Sequence, residues 1–130
     1  MLGLQKYDDL IVWQKAMDLV VEVYKIIKLL PKEEMYTLSN QMKRAAVSIP
    51  SNIAEGHERN TTKDFIKYLH TAKGSKGELE TQLLICVRLQ YLTQVQIETA
   101  QRMLIEIGKM LNALIQSLSA KLSGPPFQDD

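Results

Sequence analysis

Along almost its whole length the chain repeats apolar residues at steps of three and four, and few of its residues can interrupt that rhythm. Such spacing lines one face of a helix, whereas a half-buried strand needs steps of two. There are 6 Gly and 4 Pro in 130 residues, and Pro125 and Pro126 fall near the end, so the breakers leave four long segments. No repeat, linker or low-complexity stretch divides them. Residues 1–122 therefore read as one domain and residues 123–130 as a disordered tail.

The first helix is predicted to start at Asp8 or Asp9, whose carboxylates suit the free amides of a first turn. Trp13, Ala16, Val20, Val23, Tyr24, Ile27 and Leu30 share one face, and Val12, Leu19 and Ile26 widen it towards half the cylinder. That is more apolar surface than one neighbour covers, so part of it is expected to meet another subunit. Pro31 ends the helix by excluding Leu30 from the α region. A second helix is predicted from Lys32 to Glu55, with Met35, Leu38, Met42, Ala45, Ile49 and Ile53 inward. It should kink at Pro50, and Gly56 suits a left-handed cap.

After a polar loop, His57–Thr61, a cap at Thr61 or Thr62 starts a third helix. It carries Phe65, Tyr68, Leu69, Ala72, Leu79, Leu83 and Cys86 on one face, and its end from Leu83 to Val87 is apolar nearly all round. Thr93 with Gln96 has the form of a capping box. The fourth helix then presents Ala100, Met103, Leu104, Ile107, Met110, Leu111, Leu114 and Leu118. Four amphipathic helices of about 20 to 28 residues with short loops define an all-α, antiparallel up-down-up-down four-helix bundle.

The residues exclude several chemistries. One cysteine, Cys86, gives no disulfide framework, and two histidines give no Cys/His zinc module. A di-iron bundle needs Glu-x-x-His pairs, but Ala54 precedes His57 by three residues and Lys67 precedes His70. Glu55, His57 and Glu58 cluster around a polar loop, where solvated charges are the norm. Cys86 lies on the core face as a small buried hydrophobe. Gly74 and Gly77 lie within a helical phase rather than after a strand, which points to close helix approach instead of a phosphate loop. The expectation is a protein that is not an enzyme and holds no cofactor or metal. No apolar run reaches the roughly 18 residues of a membrane span, and the first residues lack the layout of a signal peptide, so a cytoplasmic protein with no membrane partner is expected.

The formal net charge is only +1, but its distribution is uneven. Residues 43–76 hold seven basic groups, Lys43, Arg44, Arg59, Lys63, Lys67, Lys73 and Lys76, against Glu55, Glu58 and Asp64, for +4. Lys63, Lys67 and His70 fall within about 60° on the face opposite Phe65 and Leu79, with Lys73 at its edge. This stripe is either an ordinary solvated face or a surface that contacts phosphates without reading sequence. Lys76 projects near the core between Ala72 and Leu79, so it must snorkel or meet a carboxylate, from its own chain or a neighbouring subunit.

Three motifs in order carry a resemblance. They are Tyr7-Asp8-Asp9-Leu10-Ile11-Val12-Trp13-Gln14-Lys15-Ala16, then Gln41-Met42-Lys43-Arg44-Ala45-Ala46-Val47-Ser48-Ile49-Pro50-Ser51-Asn52-Ile53-Ala54-Glu55-Gly56, then Gly74-Ser75 followed by Glu78-Leu79-Glu80-Thr81-Gln82-Leu83. With them the chain resembles the bacterial 23S rRNA intervening-sequence proteins, over residues 7–93 closely and over the fourth helix by pattern. The resemblance implies a four-helix bundle that assembles as a homopentamer with a central channel. It also implies kinship with the accessory protein of diversity-generating retroelements, a basic pentamer that binds a reverse transcriptase and nucleic acid. By position, Arg44, Ser48, Asn52, Glu55, Gly56, Arg59, Gly74, Ser75, Glu78 and Glu80 match family motif positions, and Lys76 stands where members usually carry an apolar residue. The polar ones equally suit structural roles: Ser48 and Asn52 can satisfy backbone freed by Pro50, and Glu55 can pair with Arg59 or Lys73. The sequence thus leads to two expectations. One is an oligomeric accessory protein that binds RNA or DNA weakly through Lys43, Arg44, Arg59, Lys63, Lys67 and Lys73, or acts as a scaffold. The other is a module whose partner is another protein.

Overall fold

The computed structural model describes residues 6–123, and these form four α-helices with two short 3-10 turns. The helices are α1 (Ile11–Ile27), α2 (Leu38–His57), α3 (Thr62–Arg88) and α4 (Gln94–Leu122). The proposed tail lies outside the described residues except for Ser123.

Contacts across the helices fix their directions. Ser48 meets Ser75 and Met42 meets Cys86, so positions on α2 fall as those on α3 rise, and the two run antiparallel. Lys43 lies over the Tyr24 ring of α1, and Lys15 pairs with Glu106 of α4 at 3.4 Å. Each helix packs on its sequence neighbours and α4 closes on α1, which leaves α3 diagonal to α1. This is the expected four-helix bundle.

The core is one cluster, with Leu19, Val23, Met42, Ile49, Ile53, Leu69, Leu79, Leu83, Leu104, Ile107 and Leu111 fully buried. Burying each such side chain stabilises the fold by about 1.5–3 kcal/mol relative to leaving it in water. The capping box forms as the sequence predicts: Thr93 N donates to Gln96 Oε1 at 2.9 Å, and Gln96 N donates to Thr93 Oγ1 at 3.2 Å. α2 runs unbroken through Pro50.

Several boundaries and faces differ from the sequence reading. α1 starts at Ile11, because Asp8 and Asp9 belong to a 3-10 turn in which the Asp9 carboxylate accepts the Lys6 amide at 3.3 Å. It ends at Ile27, three residues before Leu30, and Leu29 and Leu30 close the turn with tighter bonds to Ile26 and Ile27. Residues Lys32–Glu34 form a separate 3-10 turn, so Met35 falls out of phase and is exposed. Within α1 the buried residues are Val12, Ala16, Leu19, Val23, Ile26 and Ile27, and Leu30 just beyond the helix is buried as expected, while Trp13 and Val20 are half-buried and Tyr24 is exposed. Leu84 and Ile85 at the end of α3 are also exposed.

Candidate nucleic-acid interface

The first half of α3 is oriented by what it buries. Thr61 Oγ1 accepts the Asp64 amide at 3.1 Å and fixes the start of the helix. Phe65, Leu69 and Ala72 then face the core. With that side anchored, Lys63, Lys67 and His70 project to solvent at steps of four and three, and Lys73 follows one turn later. Among the described residues none of these three lysines makes an ion pair, whereas Lys15 pairs with Glu106, Arg59 with Glu55 and Lys76 with Glu80. Their ammonium groups are therefore uncompensated and open to an anion.

The other basic residues of the sequence reading do not join them equally. Arg59 is engaged: it pairs with Glu55 Oε2 at 2.9 Å, donates to the Tyr68 hydroxyl and stacks 4.9 Å from that ring. Its guanidinium is held above the usual arginine value, first by Tyr68 and also by Glu55. Lys43 sits 5.4 Å from the Tyr24 ring on the α1 side of α2, away from α3. Arg44 is exposed further along the bundle, level with the stretch between Ser75 and Cys86. The structure thus gathers Lys63, Lys67, Lys73 and His70, places Arg59 beside them in a closed pair, and separates Lys43 and Arg44.

The family-motif positions fasten α2 to α3. Ser48 Oγ and Ser75 Oγ are 2.8 Å apart, and Asn52 Nδ2 donates to Ser48 O at 2.8 Å and Ser48 Oγ at 2.9 Å. The carbonyl that Asn52 takes is Ser48's, not that of Ala46, which lost its partner to Pro50. Glu55 chooses Arg59 rather than Lys73. Gly56 has no positive φ and is not a left-handed cap; among the described residues Gln90 has that conformation, at φ 64°. Gly56 instead permits contact, since a Cβ there falls 2.6 Å from Tyr68 Cβ and 3.0 Å from Phe65 Cδ1. Gly74 and Gly77 do the reverse: a Cβ at either meets nothing within 4 Å, so they do not serve close helix approach within the chain. Glu78 is exposed.

Lys76 finds its carboxylate in its own helix, Glu80 Oε2 at 3.1 Å. Its stem lies over Gly108 of α4, where a Cβ would fall 2.7 Å from Lys76 Cε. Gly108 is thus the residue that admits a lysine into an apolar row. Sequence spacing offers no sign of it, because the two positions lie on different helices.

His57 departs from the expected solvated loop. It is the last residue of α2, its side chain is 9% exposed, and it lies edge-on to Phe65. Its Nδ1 is 3.7 Å from Glu58 Oε2 and, among the described residues, has no hydrogen-bond partner. Burial, with Glu34 adding, pushes the Cys86 thiol up to about 11, so it is a protonated core group. No group of three potential metal ligands occurs among the described residues. No helix among them is long and apolar enough to cross a membrane.

These features define a small all-α bundle with a row of lysines on α3 that make no ion pair among the described residues. Residues 8–113 match the family model described as 23S rRNA-intervening sequence protein, and the chain belongs to that family. A crystal structure of a protein of unknown function from the S23 ribosomal protein family of Bacteroides thetaiotaomicron VPI-5482 is similar to it. The two share 29% sequence identity with a TM-score of 0.75, over 81% of this chain and 98% of that one. A search of curated proteins returns no significant match.

Proposed function

We propose that this protein is a non-enzymatic accessory bundle that holds the phosphate backbone of RNA or DNA weakly through the outer face of α3, and that it works as an oligomer. The observation that carries this reading is the row of Lys63, Lys67 and Lys73 with His70, exposed and without carboxylate partners on a chain whose formal charge is only +1. A nearly neutral surface has no general attraction for polyanions, so a local run of free cations is the part able to bind one. Phosphate contacts of this kind position a nucleic acid and read no sequence. Several copies in one assembly add their fields, and the homopentamer implied by the resemblance would present five such rows.

Fluorescence anisotropy of a structured RNA and of a DNA duplex, with wild type and the Lys63→Gln/Lys67→Gln variant, tests the reading. The variant should bind both nucleic acids more weakly, by a similar factor. Equal binding by the two proteins would remove the stripe as a site. A second reading, in which the partner is another protein, is favoured by the exposed apolar residues Met17, Val21 and Tyr24 on α1 and Leu84, Ile85 and Leu89 on α3. Light scattering at the mass of one chain would remove the oligomer.

A further inference from the structure

The last turn of α4 lies beside the start of the cationic row. Lys76 of α3 lies over Gly108 of α4, and residues 89–93 join the end of one helix to the start of the other, so the two run antiparallel. From Gly108, α4 continues for about 22 Å to its cap at Ser123, while from Lys76, α3 runs back about 21 Å to Thr62. Ser123 therefore stands level with the first turn of α3. Around α3, Lys76 marks the side that faces α4. Lys73, His70 and Lys63 follow outward from it at about 60°, 120° and 140°, and Lys67 completes the row at about 180°. The edge nearest α4 is thus Lys73, with His70 and Lys63 next.

The sequence that follows Ser123 has the opposite charge. Gly124-Pro125-Pro126-Phe127-Gln128-Asp129-Asp130 holds two carboxylates and no cation. Pro125 and Pro126 cannot extend α4, since neither has an amide to donate. A chain advances at most about 3.3–3.6 Å per residue, so Asp129 and Asp130 reach up to about 20–25 Å from Ser123. Lys63 lies within one turn of the level of Ser123 and Lys73 about 16 Å further along, each across one interhelical spacing of about 8–10 Å. Both fall inside that reach, whereas Lys67 requires the chain to pass round the outside of α3. Leu122, 37% exposed on the α3 side of α4, and half-buried Ile66, between Lys73 and His70, give Phe127 apolar ground on the way. Neither Lys63 nor Lys73 makes an ion pair among the described residues.

We propose that Asp129 and Asp130 fold back within their own chain onto Lys63 and Lys73, on either side of His70, and hold that edge of the row until a nucleic acid displaces them. The competition rests on the proposed function; the contact itself does not. Exposed ion pairs are weak one at a time. A short tether raises the effective concentration of the carboxylates to the millimolar range, which is enough to compete with weak phosphate binding and too little to shut the row.

Disulfide trapping in the full chain reads the contact without nucleic acid. Cys86 is buried, so two added cysteines pair with each other. Gln128→Cys should cross-link about tenfold faster to Lys73→Cys than to Thr71→Cys, which is exposed at the same height on the side of α3 away from α4, and the product should have the mass of one chain. Equal rates at the two positions, or a product of two chains, would overturn the fold-back. Anisotropy with a DNA duplex at low salt reads the competition. Asp129→Asn/Asp130→Asn should bind about threefold tighter than wild type, a gain that fades as salt rises and that Lys63→Gln/Lys73→Gln abolishes. Asp18→Asn/Glu22→Gln removes the same charge from α1, diagonal to α3, and should bind as wild type does. An equal gain from that control, or none from the Asp129 and Asp130 variant, would overturn the competition. If no form binds nucleic acid, the proposed function fails, and the trapping rates alone support or overturn the contact.

Discussion

Placing the same methyl group at Gly56 and at Gly74 should change stability in opposite directions. At Gly56 the added Cβ would lie 2.6 Å from Tyr68 Cβ, 3.0 Å from the Phe65 ring and 3.3 Å from the Phe65 carbonyl. Two of these three atoms are backbone or next to it, so no rotamer change relieves the clash, and α2 must back away from α3 by most of an ångström. Overpacking of this kind costs about 1–3 kcal/mol. The helix-propensity gain of alanine over glycine, about 1 kcal/mol in a helix interior, is smaller one residue before the end of α2. Gly56→Ala should therefore lose about 1–2 kcal/mol. Gly74→Ala meets nothing within 4 Å in the middle of α3 and should gain about 0.5–1 kcal/mol. Urea unfolding followed by circular dichroism reads both against wild type. A Gly56→Ala protein as stable as wild type, or a Gly74→Ala protein that loses stability, would refute this account of the α2–α3 contact.

Gly108→Ala should displace Lys76 and cost up to about 1 kcal/mol, less than Gly56→Ala because the obstructing atom is the end of a flexible stem. In a double-mutant cycle with Lys76→Met the two losses should be non-additive; simple additivity would contradict the contact. Glu34 is held below the usual carboxylate value, first by the Thr37 hydroxyl at 2.6 Å and then by the Tyr91 hydroxyl at 2.7 Å. A lowered folded value means stability that is present above the unfolded value and lost as pH falls through the folded one. Tyr91→Phe should accordingly flatten the loss of stability below about pH 4.5, read by denaturant midpoints at several pH values. Cys86, buried with its thiol up to about 11, should react with a thiol reagent at pH 8 only at the rate at which the fold opens, and denaturant should accelerate it. Immediate labelling in native buffer would contradict its burial.

The architecture is written in the sequence where the signal is local. The three- and four-residue spacing gives the core faces of α3 and α4, and Thr93 with Gln96 marks the start of α4 by contacts within one turn. The ends of α1 and α2 are not local. Glu34 bonds to Tyr91, 57 residues away, and that tie helps hold the Lys32–Glu34 turn outside the helix that follows. The glycines mislead for the same reason: Gly56 and Gly108 are small because of atoms on another helix, and Gly74 looks equivalent to them in sequence. Of the candidate site, the row Lys63, Lys67 and His70 follows from spacing alone. Formal charge could not separate it from Arg59 and Lys43, which only the placement of Tyr68 and Tyr24 withdraws.

That separation gives the most direct test of the proposed function. Lys67→Gln and Lys43→Gln remove the same charge from different sides of the bundle, and duplex DNA binding of each can be followed by anisotropy across a salt series. The slope of log affinity against log salt counts phosphate contacts at about 0.9 each. Lys67→Gln is expected to lower affinity and to reduce that slope by about one contact per participating chain, while Lys43→Gln leaves both at their wild-type values. Equal effects from the two substitutions, or none from Lys67→Gln, would contradict the assignment of nucleic-acid contact to the outer face of α3.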